Sequence, residues 1–284
     1  MTDSTPSKPV EVALHDDLEY SDFQTYFPHT PTALCIRECI RLGKLRGYPC
    51  ESPVLDVGCG DGLFARIAFR SAEVWGIDID AQEGRWAQAS QAYSQIIIGD
   101  VVHAKLPEGF FKTCVANCSL EHIPDIAGAL RTIYRSLAPG GTAYLFVPTV
   151  DWAESLESVR LSRRFGLGWL GDAIRSGIDG VFRHHHLYDA PGWQRLCESV
   201  GFEVTELSPV GSSAATQAFE AFLPSSVLGF LNKKVTGRWT NLTAIRGIAA
   251  FPTYLTVQLA MRLAAKDGPV AEYFLAVRRP LEPR

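Results

Sequence analysis

The chain has 284 residues, 46% hydrophobic and 20% charged, with a formal net charge of −4 and a pI near 6.0. That balance supports a sizeable core and excludes wholesale disorder and a general polyanion binder. Seven cysteines over this length are no small disulfide scaffold; their odd number and the lack of a signal-peptide pattern lead us to expect a reducing, cytoplasmic compartment.

Residues 1 to about 20 are polar, contain Pro6 and Pro9, and are expected to be a disordered lead-in. Thr30-Pro31 then offers an N-cap with proline at the first helical position. The helix it opens, Thr32 to about Lys44, carries Ala33, Ile36 and Ile40 on one face and Arg37, Arg41 and Lys44 elsewhere. From Pro53 short apolar runs alternate with helical stretches. Strands are expected at 54–57, 74–77, 96–98, 113–116 and 142–147, with helices at 63–70, 82–93 and 126–137 between them. Ala138-Pro139-Gly140-Gly141 reads as a turn before the fifth strand. Residues 151–188 interrupt the alternation, which resumes with a helix at 190–200 and a strand at 202–207; a last strand is expected at 272–277. Such βαβ units imply a parallel, doubly wound Rossmann-like α/β sheet.

The first strand runs into Asp56-Val57-Gly58-Cys59-Gly60-Asp61-Gly62 directly before a helix. Glycines there permit a sharp turn and close backbone approach to a ligand. The spacing is GxGxG rather than GxGxxG, the position of the third dinucleotide glycine being Leu63, and no lysine follows as a P-loop requires. A diphosphate at this turn would face Asp56 and Asp61, whereas a ligand carrying an ammonium and a sulfonium would be welcomed. Asp78 ends the second strand and Asp100 closes the third. In open α/β sheets ligands sit at that carboxyl edge, where Asp78 can accept from ribose hydroxyls and Asp100 from an exocyclic amine.

These motifs, VLDVGCGDG at 54–62, GIDID at 76–80, GD at 99–100, NCSLEHIPD at 117–125, LAPGG at 137–141 and EYFLAVRRP at 272–280, resemble those of class I S-adenosylmethionine-dependent methyltransferases. The resemblance covers about residues 50–207 plus the last strand and implies seven strands, the last antiparallel. It implies S-adenosylmethionine as cofactor. Asp56, Gly58 and Gly60 would line its methionine end, Asp78 its ribose, Asp100 and Val101 its adenine, and Asn117 or Cys118 its amino acid part. Residues 1–50 would form the lead-in and a helical N-terminal cap, and 51–284 the catalytic domain with lid insertions at about 151–188 and 210–268.

Other residues bear on the acceptor. His122, just past the fourth strand, is a general base or substrate contact, the alternative being that it only shapes its turn. His184 and His186 of the His-His-His-Leu-Tyr segment, together with Tyr26 and His29, are candidate substrate contacts. No metal is expected, because consecutive histidines do not face one site and no carboxylate shows convincing spacing. The pairs Cys35/Cys39 and Cys114/Cys118 are read as small buried hydrophobes rather than reactive thiols.

Both insertions would lie over the carboxyl edge and roof the acceptor site. They are apolar, with Phe165, Leu167, Trp169, Leu170 and Ile174 in one and Phe219, Phe222, Leu223, Leu228, Phe230 and Leu231 in the other. A small hydrophobic acceptor follows, such as a lipid, quinol, polyketide or other secondary metabolite, with oxygen the favoured atom on family frequency and carbon or nitrogen the alternatives. A protein methyltransferase and a noncatalytic cofactor-binding module are the alternatives.

From Ser208 onward the chain carries 9 Lys+Arg against 4 Asp+Glu, so a basic, apolar tail follows an acidic body. Residues 219–262 therefore read as a peripheral membrane contact, with core packing or a homodimer interface as the competing readings. No stretch reaches the roughly 18 apolar residues of a spanning helix; Gly247 to Met261 comes nearest and contains Pro252 and Gln258. The basic clusters lack the aromatic interleaving of a nucleic-acid groove, so no nucleic-acid partner is expected.

Overall fold

The computed structural model describes residues 14–182, 184–265 and 267–281. A single sheet organises them, formed by β1 (Val54–Val57), β2 (Val74–Asp78), β3 (Gln95–Ile98), β4 (Phe111–Asn117), β5 (Leu137–Pro148), β6 (Glu203–Val210) and β7 (Glu272–Arg278). Their order is β3-β2-β1-β4-β5-β7-β6. The pairs among β1 to β5 are parallel, and β7 runs antiparallel to both β5 and β6. This is the doubly wound seven-stranded arrangement expected. The order reverses at β1 and β4, so a crevice opens beyond their carboxyl ends.

Successive strand residues point to opposite faces, and the two faces bury two cores. Val54, Val115, Phe146 and Phe274 pack under α1 (Tyr20–Tyr26), α2 (Thr32–Arg46) and α3 (Leu63–Ala68), with α9 (Ser213–Ala221) and α11 (Thr243–Leu263) alongside. Leu55, Val57, Ala116, Leu145 and Leu275 pack on the other side under α5 (Ile126–Ser136) and α8 (Ala190–Val200). The remaining helices are α4 (Ala81–Ala89), α6 (Glu157–Arg164), α7 (Gly168–Phe182) and α10 (Leu223–Thr236).

Several local expectations shift. Most of the anticipated lead-in lies outside the described residues. The stretch from residue 14, however, is placed: His15 bridges Val210, and the Asp16 carboxylate accepts from the Ser212 amide at 3.0 Å. Pro31 occupies the cap position of α2, with no side-chain cap bond from Thr30. The stretch 138–141 belongs to β5, whose pairing with β4 is bulged there, rather than forming a turn. Arg41 and Lys44, off the apolar face of α2, are nonetheless buried, at 6% and 7% exposure. The reason is that α2 lies across the antiparallel edge, where Glu272 and Glu206 wait for them, at 2.7 Å in both cases.

The two insertions behave differently. In the second, α10 packs on α2 and α9, while α11 packs on α1 and α9. In the first, α6 and α7 build a small core of their own from Trp152, Leu156, Val159 and Ala271, with Ile174 and Ile178 against it.

Candidate functional site

Residues at the carboxyl ends of β1, β2 and β4 line three adjoining recesses. One of about 320 Å³ lies between β1, β2 and the turn after β3, lined by Gly58, Asp78, Gly99, Asp100, Val101 and His122 among others. A second of about 480 Å³ continues past Gly58, Cys118 and His122, which line both, to Asp56, Gly60, Glu38 and Tyr26. The third, about 580 Å³, shares Asp61, Leu63 and Trp239 with the second and reaches His29 and Arg66.

The glycine-rich turn is shaped by contacts its residue types make obligatory. Gly58 has φ +74°, and an added Cβ would lie 2.3 Å from that of Ser119. Gly60 has φ +54°, and an added Cβ would meet nothing within 4 Å, so its backbone is bare toward the recess. Asp78 fastens the turn: one carboxylate oxygen accepts from the Gly60 amide at 2.9 Å, the other from Asp80 at 2.8 Å. Asp100 accepts from the Val102 amide at 2.9 Å, which orders the turn holding Val101.

Asp56 is 2% exposed and accepts from the Tyr93 hydroxyl at 2.7 Å. Burial pushes its carboxyl up to about 7, with Asp78 and Glu38 adding to the rise and the Tyr93 bond opposing it. Four acids, Glu38, Asp56, Asp61 and Glu83, line the 480 Å³ recess with one lysine, Lys233. That excess favours a cationic ligand.

Asn117 has a more committed side chain than anticipated. Its amide donates to Glu38 at 2.7 Å and its carbonyl accepts from Arg41 at 3.0 Å. Arg41 also grips Glu272 through two bonds of 2.9 and 2.7 Å. Cys118 adopts φ +48°, and burial raises its thiol well above the ordinary range.

His122 sits on a short 3₁₀ turn, Leu120–His122, at the junction of the first two recesses. Behind it Glu121 is 1% exposed, with Oε1 3.8 Å from the imidazole and Oε2 buried without a hydrogen-bond partner. Burial drives the Glu121 carboxyl up to about 8. His184 stacks on His122 with ring centroids 5.2 Å apart. Glu121 thus supplies the carboxylate that sequence spacing did not suggest: ligand-type atoms of Glu121, His122 and His184 all fall within 4.8 Å of one another.

Of the other candidates, Tyr26 and His29 line the second and third recesses. His186 lines none of the three; its ring nitrogens contact the Pro124 carbonyl at 3.0 Å and the Tyr188 hydroxyl at 3.1 Å. Among the described residues α6 and α7 contribute none to the lining; the first insertion touches the site through His184, while the second roofs it.

Lys233 of α10 was missed. It pairs with Glu83 at 2.7 Å and Asp61 at 3.7 Å and lies between the Trp86 and Trp239 rings, 4.9 and 4.5 Å from their centroids. Glu38 and Tyr93 were missed too. Each is remote in sequence from the motif it serves, so spacing carried no signal, whereas Glu121 stood inside a quoted motif. The cysteines are all free, and Cys35 and Cys39 sit 3.8 Å apart in the core.

The donor set fits the cofactor that the sequence motifs imply, since bare glycine backbone and ligand-facing carboxylates converge on recesses of sufficient volume. A family model described as a methyltransferase domain matches residues 29–207. An uncharacterized methyltransferase of Mycobacterium tuberculosis (strain ATCC 25618 / H37Rv) is 45% identical over 152 residues, 51% of this chain and 72% of that protein. A ubiquinone biosynthesis O-methyltransferase of Pseudomonas putida (strain KT2440) is 36% identical over 99 residues, 32% of this chain and 42% of that protein. A geranyl diphosphate methyltransferase structure with GPP and sinefungin shares the fold at TM-score 0.52 and 13% identity, over 86% of this chain and 81% of that one. Glycine-rich turn, sheet order and relatives agree: the chain belongs to the methyltransferase-domain family and is a class I S-adenosylmethionine-dependent methyltransferase.

Proposed function

We propose that this enzyme methylates a small, largely hydrophobic acceptor, at oxygen. The observation that carries the reading is the continuity of the recesses through His122 and beneath α10, which leaves room for an acceptor beside the cofactor half. The relative named for ubiquinone biosynthesis O-methylation supports oxygen as the atom.

When bound, S-adenosylmethionine supplies an electrophilic methyl group on a sulfonium. Asp78 would hold the ribose, Asp100 and Val101 the adenine, and Asp56, Gly58, Gly60, Asn117 and Cys118 the methionine end. Alignment is the protein's main contribution to an in-line displacement. Asp56 and Asp61 favour the cationic methionine end, and Lys233, fixed by Glu83, closes the recess over them. For a hydroxyl acceptor, His122 takes the proton as the oxygen acquires the methyl, with the buried Glu121 carboxyl standing 3.8 Å behind its imidazole. His122→Ala is therefore expected to lower turnover and remove the acidic limb of the pH profile; unaltered turnover and profile exclude His122 as the base.

The deciding experiment offers labelled S-adenosylmethionine to an extract of the source cells, then separates organic, aqueous and protein fractions. Label in the organic phase supports the reading and supplies the compound. Label in the protein pellet makes the enzyme a protein methyltransferase. Tight cofactor binding with no transfer to any fraction overturns the small-molecule reading in favour of a noncatalytic binding module.

A further inference from the structure

Between Glu220 and Asp267 the chain has no acidic residue and six basic ones, Lys233, Lys234, Arg238, Arg246, Arg262 and Lys266. Two of the six are used inside the molecule: Lys233 at the recess, and Arg246, which donates to the Phe27 and Thr30 carbonyls at 2.9 and 2.6 Å. Lys234, Arg238 and Arg262 are exposed.

The apolar residues of this segment are divided between two sides. In α11 the inner side, Ala250, Val257 and Met261, is buried, and Tyr254 donates to the Leu18 carbonyl at 3.0 Å. The outer side repeats at helical spacing with Ile245, Ile248, Phe251, Leu255, Leu259 and Leu263, between 50% and 84% exposed. In α10, Leu228, Leu231 and Val235 form a second stripe, at 69%, 56% and 86% exposure. A solvated helix would place polar side chains there. Apolar stripes this long on consecutive helices exceed the scattered hydrophobics of an ordinary surface.

We propose that α10, α11 and the loop between them dock on an anionic lipid surface. Charge selects this occupant: a neutral apolar partner would not require an acid-free segment with exposed lysine and arginine beside the stripes, whereas anionic headgroups complement it. Among the described residues no helix is long and apolar enough to cross a membrane, and α11 carries Arg246 and Arg262 near its ends, so the helix lies in the interface. Thr236 at the end of α10 and the loop residues Gly237 to Thr240 line the 580 Å³ recess, which places the way into the site beside the docking stripes. On the reaction proposed above, on which this last step rests, the acceptor is a membrane-dissolved amphiphile taken up from the bilayer through that recess.

The test is cosedimentation of the full chain with phosphatidylcholine vesicles containing phosphatidylglycerol, and with phosphatidylcholine alone. Binding to the anionic vesicles is expected, weaker on neutral ones and at high salt. Ile248→Glu with Leu255→Glu should weaken binding at least tenfold while cofactor affinity stays unchanged. Lys234→Glu with Arg238→Glu should erase the preference for anionic lipid. Protein that stays in the supernatant with anionic vesicles overturns docking. So does a dimer in sedimentation equilibrium that the Ile248/Leu255 variant dissociates while no lipid binds, which makes the face a homodimer contact. Equal binding to both vesicle types overturns the charge argument. Vesicle binding is read without methyl transfer, so docking and the proposed reaction fail independently.

Discussion

Asp78 illustrates how one side chain serves both fold and ligand. Its two oxygens already hold the Gly60 and Asp80 amides, so the loop is preorganised by the same carboxylate proposed to take the ribose. Asp78→Ala should weaken S-adenosylmethionine binding at least tenfold, about 1.4 kcal/mol; unchanged affinity of the folded variant in a calorimetric titration removes the assignment. Asp56 has the opposite character. Its pKa in the fold is raised from 3.8 to about 7, so the native state binds more protons than the unfolded chain between those values. Stability contributed by this group is therefore present at low pH and lost as pH rises toward 7. Asp56→Asn keeps an acceptor for Tyr93 and removes the buried charge. It is expected to raise the melting temperature at pH 8 more than at pH 5, and to weaken cofactor binding; equal shifts at both pH values contradict the buried-charge account.

At the scale of elements, α10 is the part that joins roof to floor. Lys233 bridges it to Glu83 at the start of α4 and to Asp61 in the glycine-rich turn, under two tryptophan rings. Lys233→Met keeps the stem and loses the charge, leaving Glu83 and Asp61 without their cation. Limited proteolysis should cut within 222–242 faster in this variant than in the native chain, with cofactor protecting less; an unchanged digestion pattern shows that apolar packing alone holds α10. The legibility of the elements follows from what fixes them. Strands β1 and β2 and helices α5 and α8 were legible nearly to the residue, because apolar runs bounded by glycine, Asp125 or Asp189 mark them. The start of β5 was not, since Pro139 and Gly140 signal a turn locally, while pairing with β4 at Leu137 and Thr142 and backbone bonds to Arg279 carry the strand through the bulge between them.

Across the whole molecule, a buried charge network connects cap, sheet and site. Glu272 opens β7, binds Arg37 at 2.5 Å and Arg41 at 2.7 Å, and through Arg41 reaches Glu38 and Asn117 at the recess. Both guanidiniums are nearly buried, so removing one partner strands charge in the interior. Glu272→Gln should cost on the order of 3 kcal/mol in urea unfolding; a loss below about 0.5 kcal/mol, the scale of a surface substitution, would show the network to be solvated.

The sequence by itself determined the βαβ alternation, the glycine-rich turn and the acids at the ends of β1, β2 and β3, because each depends on residues close in the chain and on a two-residue or 3.6-residue period. It also announced the basic, apolar segment after Glu220 by composition alone. Only the tertiary structure decided which partners those residues meet. Arg41 with Glu272, Lys233 with Glu83, Tyr93 with Asp56 and His184 with His122 are pairs brought together by sheet order and helix docking. Their sequence separations obey no local rule, since burial of charge and closure of a recess depend on the whole packed chain.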